Sequence, residues 1–485
     1  MATRPKWVEW LRRAVGLDRA IVFTVAARLC QIAGSVGTVL LIIHFLSPVE
    51  QGYYYALLSL AALQTVFELG FSFVILQMAA HESALLIFYP DGRIEGDHVA
   101  HARLASVLQL TVRWYLRAAL ALTVVLLPLG ILFFARMAHA VDRVHWLGPW
   151  VTAVLATSVT FFLTPLCSFI EGCNHVRQVA RLRMYQALIV MAISWGVIAS
   201  GHGLYACALV NLGWTAACLV LLSKQGPLVL SLLRYPAGKN GISWRNEIWP
   251  FQWKIAVSWL CSYFTMQVFT PVIFVFRGPE EAGRMGVSLS IVGYLPIVAL
   301  CWMMPKAVPF GQLVKFGRLQ ELDSLFFRTL KQSLALILIL IGACFTAVLG
   351  VQSAFPKIAL RLETPFIFAL LLFAAAGSFA VQSMAIYLRS YKREPYLFQS
   401  MAVAVLTVVG ILLAASRWGS LAIAIVYLAV SGMAGLLWAT TIFLAQRKFH
   451  IGNCGDLPDI PFCPASIAGA AEVALRNNGK ERDTK

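Results

Sequence analysis

Long apolar stretches recur along nearly the whole chain, separated by short polar segments. A helix needs about 20 apolar residues to cross the ~30 Å hydrocarbon core of a bilayer. Twelve stretches approach or exceed that length, which predicts an all-α polytopic membrane protein. They are numbered spans 1 to 12 in chain order, at roughly 20–46, 53–78, 118–135, 147–170, 184–200, 204–222, 252–276, 282–303, 332–350, 365–387, 396–415 and 419–445.

Composition and charge place this chain in a membrane rather than on nucleic acid. Hydrophobic residues make up 60% and charged residues 13% of the chain, against about 25% charged in soluble domains. If the N-terminus is cytoplasmic, 31 of the 39 Lys and Arg residues fall on the cytoplasmic side, 7 fall outside and Arg28 lies within span 1. This positive-inside bias predicts that both termini are cytoplasmic. A nucleic-acid partner would instead require one basic patch.

The two halves of the chain share a motif. Residues 47–60 (SPVEQGYYYALLSL) and 278–291 (GPEEAGRMGVSLSI) align without gaps at an offset of 231, and both contain P-x-E-x-G. Turn chemistry alone can account for the motif. Six spans separate the copies, so both halves have the same orientation, which predicts a parallel repeat of two six-helix lobes. The predicted units are an N-terminal lobe (1–222), a cytoplasmic linker (223–251), a C-terminal lobe (252–445) and a disordered cytoplasmic tail (446–485).

Residues 98–117, which precede span 3, have a polar helical face. We expect a helix lying at the membrane interface before span 3. Its polar face would bind anionic lipid headgroups or feed a phosphorylated lipid substrate inward. The residues on this face are Arg103, Ser106, Gln109, Arg113 and Arg117.

Polar side chains at helical spacing in spans 1 and 2 are the candidate substrate-binding residues. Span 1 carries Arg28 and Gln31 on one face, together with Thr24, Ser35 and Thr38, and span 2 carries Gln64 and Glu68, followed by Ser72. At 1.5 Å per residue, Arg28 and Glu68 lie at similar depths. A charge near the bilayer centre costs roughly 2.5–3.5 kcal/mol even on insertion scales, which favours a functional role.

Three interpretations of Arg28 remain open at this stage. Its side chain snorkels to the cytoplasmic interface, forms a structural ion pair with Glu68, or faces a cavity and binds an anionic group of the cargo. In the last case Glu68 could relay a proton or cation.

No catalytic signature accompanies these residues. The sequence has no nucleophile–base arrangement, no Gly-rich phosphate loop and no Walker motif. The nine histidines lack metal-ligand spacing and the ten cysteines form no C-x-x-C pair. We therefore expect a protein that is not an enzyme and has no cofactor or metal.

Several motifs in order resemble a known family. The motifs are P-x-E-x-G after span 1, ELG at 68–70, EGCNHVRQVARLR at 171–183 and YLRSYKREP at 387–395. With these motifs in this order, the chain resembles the polysaccharide flippases of the multidrug/oligosaccharidyl-lipid/polysaccharide exporter superfamily over roughly residues 15–450. The resemblance implies a V-shaped pair of lobes whose spans 1, 2, 7 and 8 line a central cavity.

The resemblance also implies a function. It implies ion-driven alternating access that flips a polyprenyl-pyrophosphate-linked oligosaccharide across a bacterial inner membrane, for O-antigen, capsule or exopolysaccharide synthesis. The expected partners are this lipid-linked glycan, membrane lipids, and a polysaccharide polymerase with its chain-length machinery. A drug/cation antiporter of the same superfamily and a membrane enzyme of glycan assembly are the alternatives.

Arg28→Ala tests the cavity interpretation. We expect this variant to insert into the membrane normally but to fail to restore surface glycan in a deletion strain, because no other side chain replaces a guanidinium that binds the cargo. Surface-glycan blotting with a membrane-fraction control measures both properties. Full activity would instead assign Arg28 to snorkelling.

Overall fold

The structure is a computed structural model that describes residues 34–35, 37–83, 85–89, 92–137, 144–236, 242–315, 317–391 and 394–452. Residues 37–45 form helix α1. The first half continues with α2 (Pro48–Ala61), α3 (Gln64–Glu68), α4 (Phe71–Ser83), an antiparallel hairpin of β1 (Leu86–Phe88) and β2 (Ile94–Gly96), α5 (His98–Met137), α6 (Leu147–Ile170), α7 (Val176–Ala199), α8 (Ala206–Lys224) and α9 (Gly226–Arg234). The second half contains α10 (Trp249–Gln267), α11 (Phe269–Arg277), α12 (Pro279–Met303), α13 (Ala307–Lys315), α14 (Leu319–Ala354), α15 (Pro356–Ala359), α16 (Pro365–Arg389), α17 (Leu397–Arg417), α18 (Ser420–Tyr427) and α19 (Gly435–Gly452). Short helical turns lie at Glu171–His175, Gly203–Tyr205, Trp244–Ile248, Met304–Lys306 and Leu428–Ala434.

The helices of the described residues confirm the multi-pass architecture. Ten of them are long and apolar enough to cross a membrane, and the bent pair Pro48–Glu68 and Phe71–Ser83 makes up to eleven. These correspond to spans 2 to 12, and the part of span 1 that is described, beyond residue 33, is also helical.

Packing divides the described helices into two lobes. In the first, α6 packs on α4, α5 and α8, and α7 packs on α8. In the second, α12 packs on α11, α14 and α16, and α10 packs on α17. The third spanning helix of each lobe is overlong, with 40 residues in α5 and 36 in α14. At 1.5 Å per residue these helices are about 60 and 54 Å long, so each extends well beyond a ~30 Å hydrocarbon core. The repeat predicted from P-x-E-x-G therefore extends to the shape of the lobes.

The predicted interfacial helix at 98–117 is wrong. These residues are the first half of α5, which continues without a break into span 3. Its polar face is covered largely by the linker between the lobes rather than left for lipid. Ser106 Oγ accepts a hydrogen bond from the Ile242 backbone at 2.9 Å, and Gln109 Nε2 donates to the Tyr235 carbonyl at 2.8 Å. Only Arg113 and Arg117 of this face remain exposed.

An ion-pair network ties α5 to the linker. Arg103 binds Glu82 at 2.8 Å and Glu247 at 2.6 Å. The Ser243 backbone N–H, and then Arg103, lower the pKa of the Glu247 carboxyl. Glu82 lies at the end of α4 and Glu247 directly precedes α10, so Arg103 links the two lobes at the linker end of the bundle.

Helical structure extends into the predicted linker and tail. Within the linker, Gly226–Arg234 forms α9, and Pro227 is tolerated in its first turn because an N–H there has no intrahelical partner. The predicted tail at 446–485 begins too early, since α19 continues to Gly452. Residues 453–485 lie outside the described residues.

The two copies of P-x-E-x-G pack against each other at the opposite end of the bundle, termed the motif end. A Cβ built on Gly52 would lie 1.9 Å from the Pro279 carbonyl oxygen, and one built on Gly283 would lie 2.9 Å from the Gly52 backbone nitrogen. Only glycine allows backbones to approach this closely. The glycines are therefore required by contact between the lobes as well as by a turn.

The glutamates of the two motif copies make different contacts. Glu50 forms a capping box with Ser47 at the start of α2, with the Ser47 N–H donating to Glu50 Oε2 at 2.8 Å. Glu281 instead accepts hydrogen bonds from the backbone N–H and the hydroxyl of Ser420, at 2.9 and 2.6 Å, at the start of α18. Each carboxylate lies at a helix N-terminus, where the helix dipole favours it.

Arg361 closes the motif end across the two lobes. Its guanidinium donates to the Leu46 carbonyl at 2.7 Å, and the Gln51 side chain donates back to the Arg361 carbonyl at 3.2 Å. Burial lowers the pKa of Arg361, while Glu280 and Glu50 oppose that shift. Two reciprocal hydrogen bonds thus join the segment after α15 to the end of span 1 and to the first turn of α2.

Two residues further on, Glu363 is a buried carboxyl with 4% of its surface exposed. Its backbone N–H donates to Ser288 Oγ at 3.1 Å. Desolvation raises its pKa to about 7, with Glu281 adding to the shift, while Ser420 and Arg284 oppose it.

Gly52→Ala tests the contact between the lobes. The added methyl group meets backbone rather than a movable side chain, so we expect a loss of stability of roughly 1–3 kcal/mol from overpacking, or a larger separation of the two motif copies. Thermal unfolding in detergent and a spin-label distance across the motif end measure these outcomes.

Gly350→Ala is the matched control, because this helical glycine has nothing within 4 Å of its built Cβ. There the substitution should leave stability unchanged or raise it by about 0.5–1 kcal/mol. Equal behaviour of the two variants would contradict the packing argument.

Glu363→Gln tests the buried carboxyl. A folded-state pKa raised from about 4.5 to about 7 means that the folded protein binds the proton more tightly, so stability is greatest at low pH and falls as pH rises through that window. We expect the midpoint of thermal unfolding to fall more steeply between pH 5 and 8 in the wild type than in Glu363→Gln. Parallel pH profiles would contradict the assignment.

Candidate functional site

Span 2 is broken in its middle, next to the ELG motif. Helix α3 ends at Glu68, Leu69 and Gly70 adopt φ values of 51° and 69°, and the two halves of the span meet at 43°. A leucine in the left-handed region is unusual, and it persists only where the surrounding structure holds it there. Gln252 of α10 donates to the Leu69 carbonyl at 2.7 Å and so satisfies a backbone group that the break leaves open.

Beside this break lies a cavity of about 570 Å³. It lies mainly within the first lobe and is bounded by α12 of the second. Its lining comes from α1 and the residues before it (Gly34, Ser35, Thr38, Val39, Ile42), from span 2 (Tyr54, Tyr55, Leu58, Gln64, Glu68, Ser72), from α6 (Thr160, Phe161, Thr164), from α7 (Gln186, Ala187, Val190, Met191, Ser194), from α8 (Val210, Asn211, Trp214) and from α12 (Ser290, Tyr294).

Two of the four predicted substrate-binding residues line this cavity. Gln64 and Glu68 both face it, and so do Ser35, Thr38 and Ser72 of the same polar stripes. Arg28 and Gln31 lie outside the described residues. Contact of all four residues with a substrate therefore stays a prediction.

The break turns the span 2 stripe toward the cavity and anchors it. Ser72 Oγ lies 3.2 Å from the Tyr115 hydroxyl of α5, and the Glu68 carboxyl also bonds to Ser72. Glu68 therefore has a polar neighbour across the break. It is the one formally charged side chain among the described residues of the lining.

Several lining side chains are fixed by hydrogen bonds to one another. The Trp214 indole N–H donates to Thr164 Oγ1 at 2.9 Å, and Asn211 Nδ2 donates to Thr157 Oγ1 at 2.9 Å. Thr38 Oγ1 accepts from the Trp195 indole at 3.1 Å. These bonds leave the wall of α6, α7 and α8 polar yet ordered.

Gln64 and Gln186 differ from these residues. Within the described part of the chain neither side-chain amide makes a hydrogen bond, and both are half-buried at the cavity wall. Each amide offers two N–H donors and a carbonyl acceptor. The cavity therefore presents hydrogen-bonding groups that a ligand could use.

The resemblance implied a lining from spans 1, 2, 7 and 8, which holds only in part for this cavity. Spans 4, 5 and 6 contribute to it, whereas no described residue of span 7 does. Span 7 instead contacts the span 2 backbone, through Gln252 and through the Tyr263 hydroxyl, which donates to the Ser59 carbonyl at 3.2 Å.

Sequence reasoning missed Gln186, Asn211, Trp214 and Tyr294. A signal was present for the two amides, because Gln186 and Asn211 interrupt otherwise apolar stretches of spans 5 and 6. Trp and Tyr give no such signal, since both are also common at membrane interfaces.

Contacts within the motifs at 171–183 and 387–395 shape two turns of the chain. Glu171 pairs with Arg183 at 2.6 Å, and a Cβ on Gly172 would lie 2.6 Å from the Leu76 carbonyl oxygen. In the second lobe Arg389 pairs with Glu394 at 2.8 Å. Both motifs hold the turn after the fourth span of a lobe.

Comparison with known proteins gives a consistent fold. No family model and no curated protein matches the chain. The MATE multidrug transporter DinF-BH, solved with a bound ligand, has a TM-score of 0.59 at 13% identity, over 89% of this chain and 96% of its own. Lipid II flippase MurJ in an inward closed conformation gives 0.53 at 13%, over 91% and 94%. An inward-facing multidrug resistance MATE family transporter of the MOP superfamily gives 0.53 at 12%, over 89% and 96%.

These likenesses establish the architecture. The chain has the two-lobe fold of the MATE transporters and of lipid II flippase MurJ, which is the fold that the resemblance implied. At this level of identity the likeness extends to the fold alone.

Proposed function

We propose that the protein is a transporter that flips a polyprenyl-pyrophosphate-linked oligosaccharide across a bacterial inner membrane for surface polysaccharide synthesis. In this proposal the sugars cross through the polar cavity while the lipid tail stays in the bilayer. The observation that carries it is an ordered polar cavity of about 570 Å³ inside a membrane-spanning bundle, with two amides that no described residue binds. The fold shared with a lipid II flippase supports a lipid-linked cargo.

Alternating access would act through the contact between the lobes. The charge bias of the sequence predicts that the motif end faces the external side of the membrane. Gly52, Gly283 and Arg361 would then close that side in the conformation in which the two motif copies are in contact. Opening requires separation of the two motif copies and loss of the Arg361 hydrogen bonds. An H⁺ or Na⁺ gradient would drive the cycle, and a polymerase with chain-length machinery would receive the glycan.

Export of cationic drugs is the second candidate. The Glu68 carboxylate together with aromatic Trp214 and Tyr294 would suit a flat cation, and one structural neighbour is a multidrug transporter solved with a bound ligand. The open amides of Gln64 and Gln186 favour a hydroxyl-rich cargo instead. An apolar cation offers no counterpart to their hydrogen-bonding groups.

Translocation in a defined system tests the proposal. We expect the purified protein in liposomes to expose a short lipid-linked oligosaccharide to an external glycosidase, at a rate at least tenfold above empty liposomes. In cells, deletion should remove surface polysaccharide and leave the lipid-linked intermediate on the inner leaflet.

Three results would sink the proposal. They are unchanged surface glycan on deletion, efflux of small cations without a glycan phenotype, and glycosyl transfer by the purified protein. The second result identifies a drug antiporter, and the third identifies an enzyme of glycan assembly.

A further inference from the structure

We propose that the Glu363 carboxyl is a proton-binding site that controls separation of the two lobes at the motif end, and that its protonated form stabilises the closed contact. The inference rests on the proposed function, because it names an ion that acts on one step of alternating access. It concerns residues 361–364 and the starts of α12 and α18.

The segment from Arg361 to Glu363 is attached to both lobes. Arg361 donates to the Leu46 carbonyl of the first lobe at 2.7 Å, and its own carbonyl accepts from the Gln51 side chain. Glu363 is attached to the second lobe, because its backbone N–H donates to Ser288 Oγ of α12 at 3.1 Å. Since one residue separates them, a displacement of Glu363 also moves the contacts that Arg361 makes with the first lobe.

The Glu363 side chain is buried without enough hydrogen-bond donors for a charge. The residue is 4% exposed, and within the described part of the chain its Oε1 atom has no hydrogen-bond partner. An ionised carboxyl accepts hydrogen bonds at both oxygens. Burial of a carboxylate with an open oxygen is costly, whereas a neutral acid is buried at much lower cost. The closed contact therefore favours the neutral form of Glu363.

Ser420 has one hydroxyl proton, and two carboxyl groups lie within its reach. It donates that proton to Glu281 Oε1 at 2.6 Å, and its side chain also lies within hydrogen-bonding reach of Glu363. When Glu363 is ionised, the two carboxylates compete for one donor and repel each other. When Glu363 is protonated, its own O–H can donate to the Ser420 oxygen. One proton thus completes the hydrogen bonding between this segment and the start of α18.

The surroundings of Glu363 make it titrate near neutral pH. Burial raises the pKa of Glu363 to about 7, and the Glu281 carboxylate of α12 adds to the shift. Ser420 and the Arg284 guanidinium of α12 oppose the shift without cancelling it. The other charged groups of this region, which act on Arg361 or lie beside Glu281, are Glu50, Glu280 and Arg277.

Proton binding and closure are linked through this carboxyl. In an open state that hydrates Glu363, its pKa is closer to the ordinary value of a carboxyl, whereas in the closed state it is about 7. The closed state then binds the proton more tightly, so acid favours closure. As pH rises through this window the proton is lost and opening becomes easier.

Spin-label distances in nanodiscs without cargo test the inference. The labels are unnatural amino acids at Ser200 of the first lobe and Ser416 of the second, two exposed positions at the motif end, so the ten native cysteines stay unlabelled. We expect the ratio of open to closed wild-type protein to rise at least about tenfold between pH 5 and 8. Glu363→Gln, a permanent mimic of the neutral acid, should stay closed across that range.

Two further variants separate the charge of Glu281 from general effects of pH. Glu281→Gln keeps an acceptor for Ser420 but removes the like charge, so it should move the midpoint of the opening transition to lower pH. Glu321→Gln, which changes an exposed carboxyl on α14, is the matched control and should follow the wild-type profile.

A Glu363→Gln profile that follows the wild type would overturn the inference. If wild-type distances do not change with pH, the pair is measured again in the Gly52→Ala background, where the added methyl group destabilises the closed contact. Distances that are independent of pH there as well would overturn it. If Glu363→Gln does not fold, an unshifted midpoint in Glu281→Gln does the same.

Translocation measured on the same protein separates this inference from the proposed function. Distances that respond to pH through Glu363, in a protein that flips no lipid-linked glycan, would leave this inference standing and remove the flippase proposal. Normal translocation with distances that are independent of pH would do the reverse.

Discussion

Direct backbone contact between the two halves of the chain organises this protein. Gly52 and Gly283 allow the starts of α2 and α12 to touch, and a Cβ on Gly52 would lie 1.9 Å from a backbone oxygen. In lipid the hydrophobic effect does not drive helices together, so van der Waals contact between closely packed helices supplies the packing energy instead. Arg361 joins the two lobes at the same place, because it donates a hydrogen bond to the Leu46 carbonyl and its own carbonyl accepts one from the Gln51 side chain. The cavity lies next to this contact, because Tyr54 and Tyr55 of α2 and Ser290 of α12 belong to its lining.

The broken second span is the other element that shapes the site. A straight helix through residues 48–83 would keep one face toward the cavity, whereas the turn at Leu69 and Gly70 redirects the chain by 43°. Irregular backbone at membrane depth persists only where protein groups or a cavity satisfy it. Gln252 from the second lobe satisfies the Leu69 carbonyl. The two lobes thus meet at the motif end and again at the break, with Glu68 beside the latter.

Much of the architecture could be predicted from sequence because a bilayer makes hydropathy decisive. Spans 2 to 12 and the two-lobe fold were predicted correctly, and Gln64 and Glu68 do face a cavity. The polar face of residues 98–117 was misassigned, since helical periodicity cannot distinguish lipid headgroups from a covering linker. The contributions of α6, α7 and α8 to the cavity were missed because aromatic and hydroxyl side chains also occur as ordinary packing residues.

The sequence by itself determined that the chain is a duplicated, helical membrane protein, because apolar length and motif offset are local properties of the chain. Only the tertiary structure decided what the motifs do. P-x-E-x-G can be interpreted as a turn until Gly52 is seen against Pro279. Likewise, EGCNHVRQVARLR is only a family motif until Gly172 is seen against the backbone of span 2. A glycine's missing side chain has meaning only through what occupies that space. For Gly52 that neighbour is Pro279, which lies 227 residues further along the chain. A contact between such distant residues arises from folding and is not contained in a local sequence pattern.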